Sequence, residues 1–435
     1  MKSFLQTITE MRHFLLLWLT QTLSGLGSAM TSYALVIWSY TAEGSALTTS
    51  LLMVCSYAPY VLCSIFAGAL SDRWDRKKTM LCCDLLSALC TLTVLVLLQT
   101  DSLRIWHLYA VNALSGLMNS VQQPAMEVAT TALLPRKHYQ RVGGLRYLAS
   151  SLQSILTPVI ATAILGFRGI QAIIMIDLIS FLAAALILLF AIPIPPAAPA
   201  EKKESLLSAA ADGIRYLRQN PGILHMMLFF AGINLAASMY NAVFPAMMLS
   251  LPDAGETVMG IVNTVVGVTT LAGSLLASFL KTPQSRVKTI WRCLMLSMST
   301  ENFLLAFGKN LPADVRLWVW CTGAFLGWIS IPWMNANLDA LNRLTIPGEI
   351  QGRVFAARNT LQFFTIPTGY FLGGLLTDRV FEPIMAAQPP DSVLSLCFGT
   401  GKGSGAAFCF AVIWALGVGI CLLFRSNRHI RELEK

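Results

Sequence analysis

The residues whose types and spacing could do chemistry fall into three groups. The densest is the charge cluster of FAGALSDRWDRKKTM (66–80), where Asp72, Arg73, Asp75, Arg76, Lys77 and Lys78 crowd between two apolar runs. So many charges must lie outside hydrocarbon, in a tight turn, and their cationic excess is that of a cytoplasmic loop. The second group is a set of polar stripes within apolar segments, each recurring at steps of three or four. They are Gln21, Ser24, Ser28 and Thr31; Asn112, Ser115, Asn119 and Gln122; Asn234, Ser238 and Asn241; and Ser330, Met334 and Asn337. Each stripe marks one helix face, turned either toward a cavity or toward hydrogen bonds with another helix. The third group is carboxylates in apolar surroundings: Asp84, Glu127, Asp177, Glu301 and Asp339. Asp177 and Glu301 lie deepest, and either carries a proton or makes a structural hydrogen bond.

The elements that must position these groups are membrane helices. A chain of 435 residues that is 55% hydrophobic and 12% charged, with mean hydropathy +0.63, lies outside the range of soluble globular domains. At roughly twenty residues per crossing, the expected architecture is an all-α polytopic membrane protein with twelve spans, near 13–40, 46–70, 79–99, 104–132, 140–166, 169–192, 222–249, 257–280, 288–308, 314–341, 350–377 and 403–424. This count puts all of the 31 Lys and Arg on the side of Arg73 except Arg104, Arg168, Lys309, Arg316, Arg379 and Lys402. Both termini are therefore expected in the cytoplasm.

Internal repetition divides the chain. Arg76, Lys78 and Thr79 recur at one offset as Arg286, Lys288 and Thr289; Pro135, Arg141, Val142 and Arg146 recur at nearly the same offset as Pro347, Arg353, Val354 and Arg358. Ordered matches at two separate loops argue for duplicated six-helix halves. The expected domains are an N-terminal bundle (1–192), a Pro-rich cytoplasmic linker with a surface helix (193–221) and a C-terminal bundle (222–435).

Several functions are disfavoured. The charge of +9 sits in short loops, without the basic patch and interleaved aromatics that nucleic acid requires. The ten cysteines lie mostly in apolar runs and read as small hydrophobes, so no metal or cofactor is expected. GTGKGS (399–404) departs from a phosphate loop because Gly403 follows Lys402 where Ser or Thr is needed, and its segment reads as a flexible connector. No HExxH or GxSxG motif supports an enzyme. The stripes carry little charge, while Tyr33, Trp38, Tyr240, Phe244, Trp333, Phe363 and Phe364 lie on the same segments or the eleventh span, as suits a small hydrophobic or amphipathic solute.

The spacing Gly68, Asp72, Arg73, Arg76, Lys77 resembles the loop between helices 2 and 3 of major facilitator superfamily transporters, with Asp75 standing where that family usually has glycine. Asp84, Asp177, GRV at 352–354 and TDRVFEP at 377–383 make the whole chain most similar to the bacterial macrolide and siderophore exporter branch. The resemblance implies a twelve-helix monomer in the bacterial inner membrane, exporting its solute in exchange for protons by alternating access. An amphiphile carrier such as a lysophospholipid transporter, or an importer, is the alternative. It also implies that the four stripes line a central cavity. At the cytoplasmic side it implies a conformational gate: Glu127 pairs with Arg73 or Arg76, Asp72 meets the start of the eleventh helix near Gly352 and Arg353, and Asp84 joins them. Asp339 occupies the place of Glu127 in the second half.

Overall fold

Hydrocarbon forces every backbone N–H and C=O to find a partner within the chain, and helices do so locally. The computed structural model describes residues 2–71, 75–133, 139–194, 215–252, 255–346 and 361–434, and among these no strand occurs. The chain forms two compact units: residues 1–36 with 55–203, and residues 37–54 with 204–435. Among the described residues, seven helical stretches are long and apolar enough to cross a membrane.

The first unit contains most of α1 (Lys2–Glu43) and α2 (Ala46–Ser71), together with α3 (Arg76–Gln99), α4 (Ile105–Ala132) and α5 (Tyr139–Ala191). Helix α5 is broken at Gly169, whose φ of 74° is non-helical, so its 53 residues make two helices. Leu17, Met80, Ala125, Ala129, Leu188 and Ile192 form a core among α1, α3, α4 and the end of α5. On α3, Leu85, Leu89, Leu92 and Val96 are exposed at helical spacing, whereas Asp84 is buried. The apolar face thus points toward lipid and the acid inward, the reverse of a soluble helix.

The second unit contains α6 (Pro221–Leu249), α7 (Gly255–Phe279), α8 (Arg286–Gly308), α9 (Ala313–Trp328), α10 (Ile331–Thr345), α11 (Thr365–Leu376), α12 (Glu382–Ala386), α13 (Val393–Phe398), α14 (Ser404–Arg425) and α15 (Arg428–Arg431). Helix α6 packs on α11 and α14, and α8 on α9, α10 and α14. Glycines permit the closest of these approaches. A Cβ on Gly369 would lie 2.7 Å from Ser238 Cβ, and one on Gly373 would lie 3.0 Å from Met239 Cα. Four residues apart on α11, they let its backbone rest on α6.

Three local features add detail to the sequence expectation or depart from it. The tenth span is divided into α9 and α10, because Pro332 has no N–H to give and its ring opposes a continuous helix. The described end of the linker helix (215–219) is anchored, with Leu217 buried beside Ile223, Met227 and Ile346. The segment expected to be a flexible connector after the eleventh span is instead structured. It holds α12 and α13, buries Met385 and Phe398, and stacks Phe398 on Phe408 at 5.0 Å. Its aromatic and aliphatic side chains find apolar partners, which outweighs the loop-forming bias of its glycines and prolines.

Candidate functional site

In the first unit, two buried acids organise the polar stripes. Asp84, 4% exposed, accepts from the Gln122 amide of α4 at 2.6 Å and from the Gln21 amide of α1 at 3.3 Å. Asp177, 1% exposed, accepts from the Ser28 hydroxyl of α1 at 3.1 Å. Gly27 brings α1 close enough that a Cβ there would lie 3.0 Å from Asp177 Cα. Ser24 and Thr31 are buried. The α1 stripe therefore serves helix-to-helix hydrogen bonding at Gln21 and Ser28. On α4, the Asn112 amide donates to its own helix at Leu108 O, Ser115 is half-buried and Asn119 is exposed.

The second unit holds a cavity of about 310 Å³ bounded by α6, α8, α9 and α10 and by residues 362–363. Asn234 and Asn241 line it, as do Phe363 and Met334, whereas Ser238 and Asn337 are buried beside it and do not. Its one acid among the described residues is Glu301, 5% exposed, whose Oε1 accepts from the Tyr240 hydroxyl at 2.8 Å and the Trp328 indole at 3.0 Å. Next along α8, Asn302 is 2% exposed; its amide donates to Met298 O, and its Oδ1 finds no hydrogen-bond partner among the described residues. The lining thus joins an apolar and aromatic wall to one carboxylate and several amides. Asn302 went unnoticed in the sequence because it falls on no polar stripe; its adjacency to Glu301 was the available signal.

Of the expected gate, Asp72, Arg73, Gly352 and Arg353 lie outside the described residues, as do the surroundings of Gly68 and the side chain of Glu127. What is described around the cluster is helix capping. Asp75 accepts from Lys78 N at 3.0 Å and so caps α3, and Ser285, its repeat counterpart, accepts from Lys288 N at 3.2 Å and caps α8. The acid in the place of the family glycine thus satisfies a helix end. Lys77 donates to the carbonyls of Leu189 and Ile192, both at 2.9 Å, and closes the end of α5. In the second half Arg286, counterpart of Arg76, donates to Asn337 at 3.2 Å, and Asp339 is exposed.

A pair of acids in TDRVFEP caps two helices. Asp378 lies in a π-helical turn after α11 and accepts from the Ser45 hydroxyl at 2.6 Å, Leu47 N at 2.8 Å and Ala46 N at 3.1 Å, closing the start of α2. Glu382, one turn on, accepts from Gly403 N at 2.8 Å and Ala406 N at 3.4 Å, closing α14. Burial pushes the Glu382 carboxyl above its ordinary value, against these bonds and the nearby Lys309. Residues 37–54 belong to the second unit partly through the Asp378 cap.

The sequence profile of the Major Facilitator Superfamily matches residues 17–252, more than half of the chain. The chain belongs to the Major Facilitator Superfamily. Macrolide efflux protein A of Streptococcus pyogenes is 24% identical over 370 residues, covering 84% of this chain and 90% of that protein. Enterobactin exporter EntS of Citrobacter koseri is 24% identical over 298 residues, covering 67% of this chain and 65% of its own length. The crystal structure of nucleoside transporter NupG superposes with a TM-score of 0.68 at 13% identity, over 95% of this chain and 99% of that one, which shows the shared fold. As a Major Facilitator protein the chain is a multi-pass membrane transporter.

Proposed function

We propose that this transporter expels a small hydrophobic or amphipathic solute in exchange for protons, and that Glu301 carries the proton. The observation behind this reading is that Glu301 lies in the same cavity as Asn234, Asn241 and Phe363, with Tyr240 and Trp328 aimed at its carboxylate. A buried ionisable group in a membrane helix is costly unless it works, and proton relays are its common use. A solute bearing a donor or a positive charge binds the carboxylate form, and protonation of the same group releases it. Proton and solute thus exclude one another, as exchange requires. The apolar wall and few amides favour a macrolide-like or siderophore-like solute over a sugar or phosphate ester. The names of the relatives support the outward direction.

In this reading the two six-helix halves rock to give alternating access across the bacterial cytoplasmic membrane, as a monomer with both termini inside. Asp72, Glu127 and the bases around them close the cytoplasmic side. The deciding experiment is transport by the purified protein in proteoliposomes with an imposed pH gradient, using a macrolide as the first probe. Glu301→Gln should lose gradient-driven accumulation yet still equilibrate solute down its own gradient. Undiminished pH-driven accumulation by that variant would remove Glu301 from the mechanism.

A further inference from the structure

We propose that the end of the second unit carrying the C-terminus holds a binding site for the phosphate headgroup of an anionic phospholipid. A cavity of about 510 Å³ opens there among α6, α8, α14 and α15, separate from the one containing Glu301. Four cations line it, Lys288, Arg292, Arg425 and Arg431, and among the described residues no acid does. All four are exposed, so no burial cost opposes their charge. Like charges placed so close repel, and an anion between them turns that repulsion into attraction.

The site is built rather than accidental. The Trp291 indole donates to Cys421 O at 2.7 Å, which fixes its ring as one wall, and the Arg425 guanidinium sits 5.1 Å from the ring centroid. Arg431 donates through Nε at 3.1 Å and Nη2 at 2.8 Å to Arg425 O, which folds α15 back against the end of α14. Asn427 caps α15 and Ile430 is buried, so the fold-back is anchored at both ends. The result presents guanidinium groups with donors suited to phosphate oxygens beside an aromatic ring, the side-chain set found where a helix leaves hydrocarbon for the headgroup layer.

The occupant is a lipid rather than a soluble phosphate because exposed apolar residues neighbour the lining on α14. Leu422 and Leu423, 49% and 73% exposed, adjoin the lining residues Phe424 and Arg425 on α14, and offer acyl chains an apolar path leading from the cations. Basic pockets at the ends of spanning helices recognise such headgroups.

The test is native mass spectrometry of the full-length protein in detergent, titrated with dioleoyl-phosphatidylglycerol, dioleoyl-phosphatidylcholine or inorganic phosphate. Phosphatidylglycerol should be retained in preference to phosphatidylcholine, and millimolar phosphate should not displace it. At about 1 kcal/mol per cation near the surface, replacing Lys288, Arg292 and Arg425 together by Gln should weaken retention on the order of a hundredfold. Arg428→Gln removes one charge from the same short helix, but that side chain pairs with Glu432 at 2.8 Å and lies outside the cavity. That variant should bind as the wild type does. Equal retention of the two lipids, displacement by phosphate, or an equal loss in Arg428→Gln and the triple variant would overturn the proposal. The comparison of lipids on unaltered protein decides it even if the triple variant fails to fold.

Discussion

At the scale of single residues, the buried acids differ in what surrounds them. Asp84 is met by two glutamine amides from two other helices, an arrangement that satisfies its charge and ties α1 and α4 to α3. Replacing it by leucine would leave both amides without their acceptor, at about 1–3 kcal/mol for each group. Asp84→Leu should therefore lower the thermal midpoint of the detergent-solubilised protein clearly, and Asp84→Asn, which keeps an oxygen acceptor, should lower it less. Equal midpoints for the two variants would show that the amides find other partners. Glu301 has different company, an aromatic hydroxyl and an indole at the edge of a cavity, with the partnerless oxygen of Asn302 next to it on α8. Sequence periodicity picked out Asn234 and Asn241 but left Glu301 open between a proton carrier and a structural hydrogen bond. Which way a helix faces depends on its neighbours, and period alone does not choose among them.

At the scale of elements, helix ends explain much of the charge that the loops carry. Asp75, Ser285, Lys77, Asp378 and Glu382 each satisfy backbone groups that a helix terminus leaves open. Asp378 caps a helix more than 300 residues away in sequence, so no local pattern could reveal the pairing. The acid at that position was visible; its partner was not. Losing a cap costs about 0.5–2 kcal/mol, and here it would also release the turn before α2. Asp378→Ala should raise amide hydrogen exchange at residues 46–49 while leaving α14, which Glu382 caps, protected. Unchanged exchange at 46–49 would mean that packing alone holds the turn.

At the scale of the whole molecule, the duplicated halves repeat their caps as well as their hydropathy, since Asp75 and Lys78 correspond to Ser285 and Lys288. The proposed gate breaks this symmetry, because Thr282 stands in the second half where Asp72 stands in the first. One copy of the acid thus distinguishes the first half from the second. Asp72→Asn should abolish solute efflux from cells while membrane insertion, followed by a C-terminal fluorescent fusion, stays normal. Full efflux by that variant would refute the gate.

The sequence by itself determined the membrane-helix class and the identity of most polar groups inside the bilayer, because hydropathy and helical period are local properties that survive without coordinates. Only the tertiary structure decided which of those groups meet: Asp84 with Gln21 and Gln122, Glu301 with Tyr240 and Trp328, Asp378 with the start of α2. Each of these is a contact between distant segments, set by how helices rotate and pack. Close approach at glycines such as Gly369 and Gly373 fixes that packing, and a linear pattern does not encode its outcome.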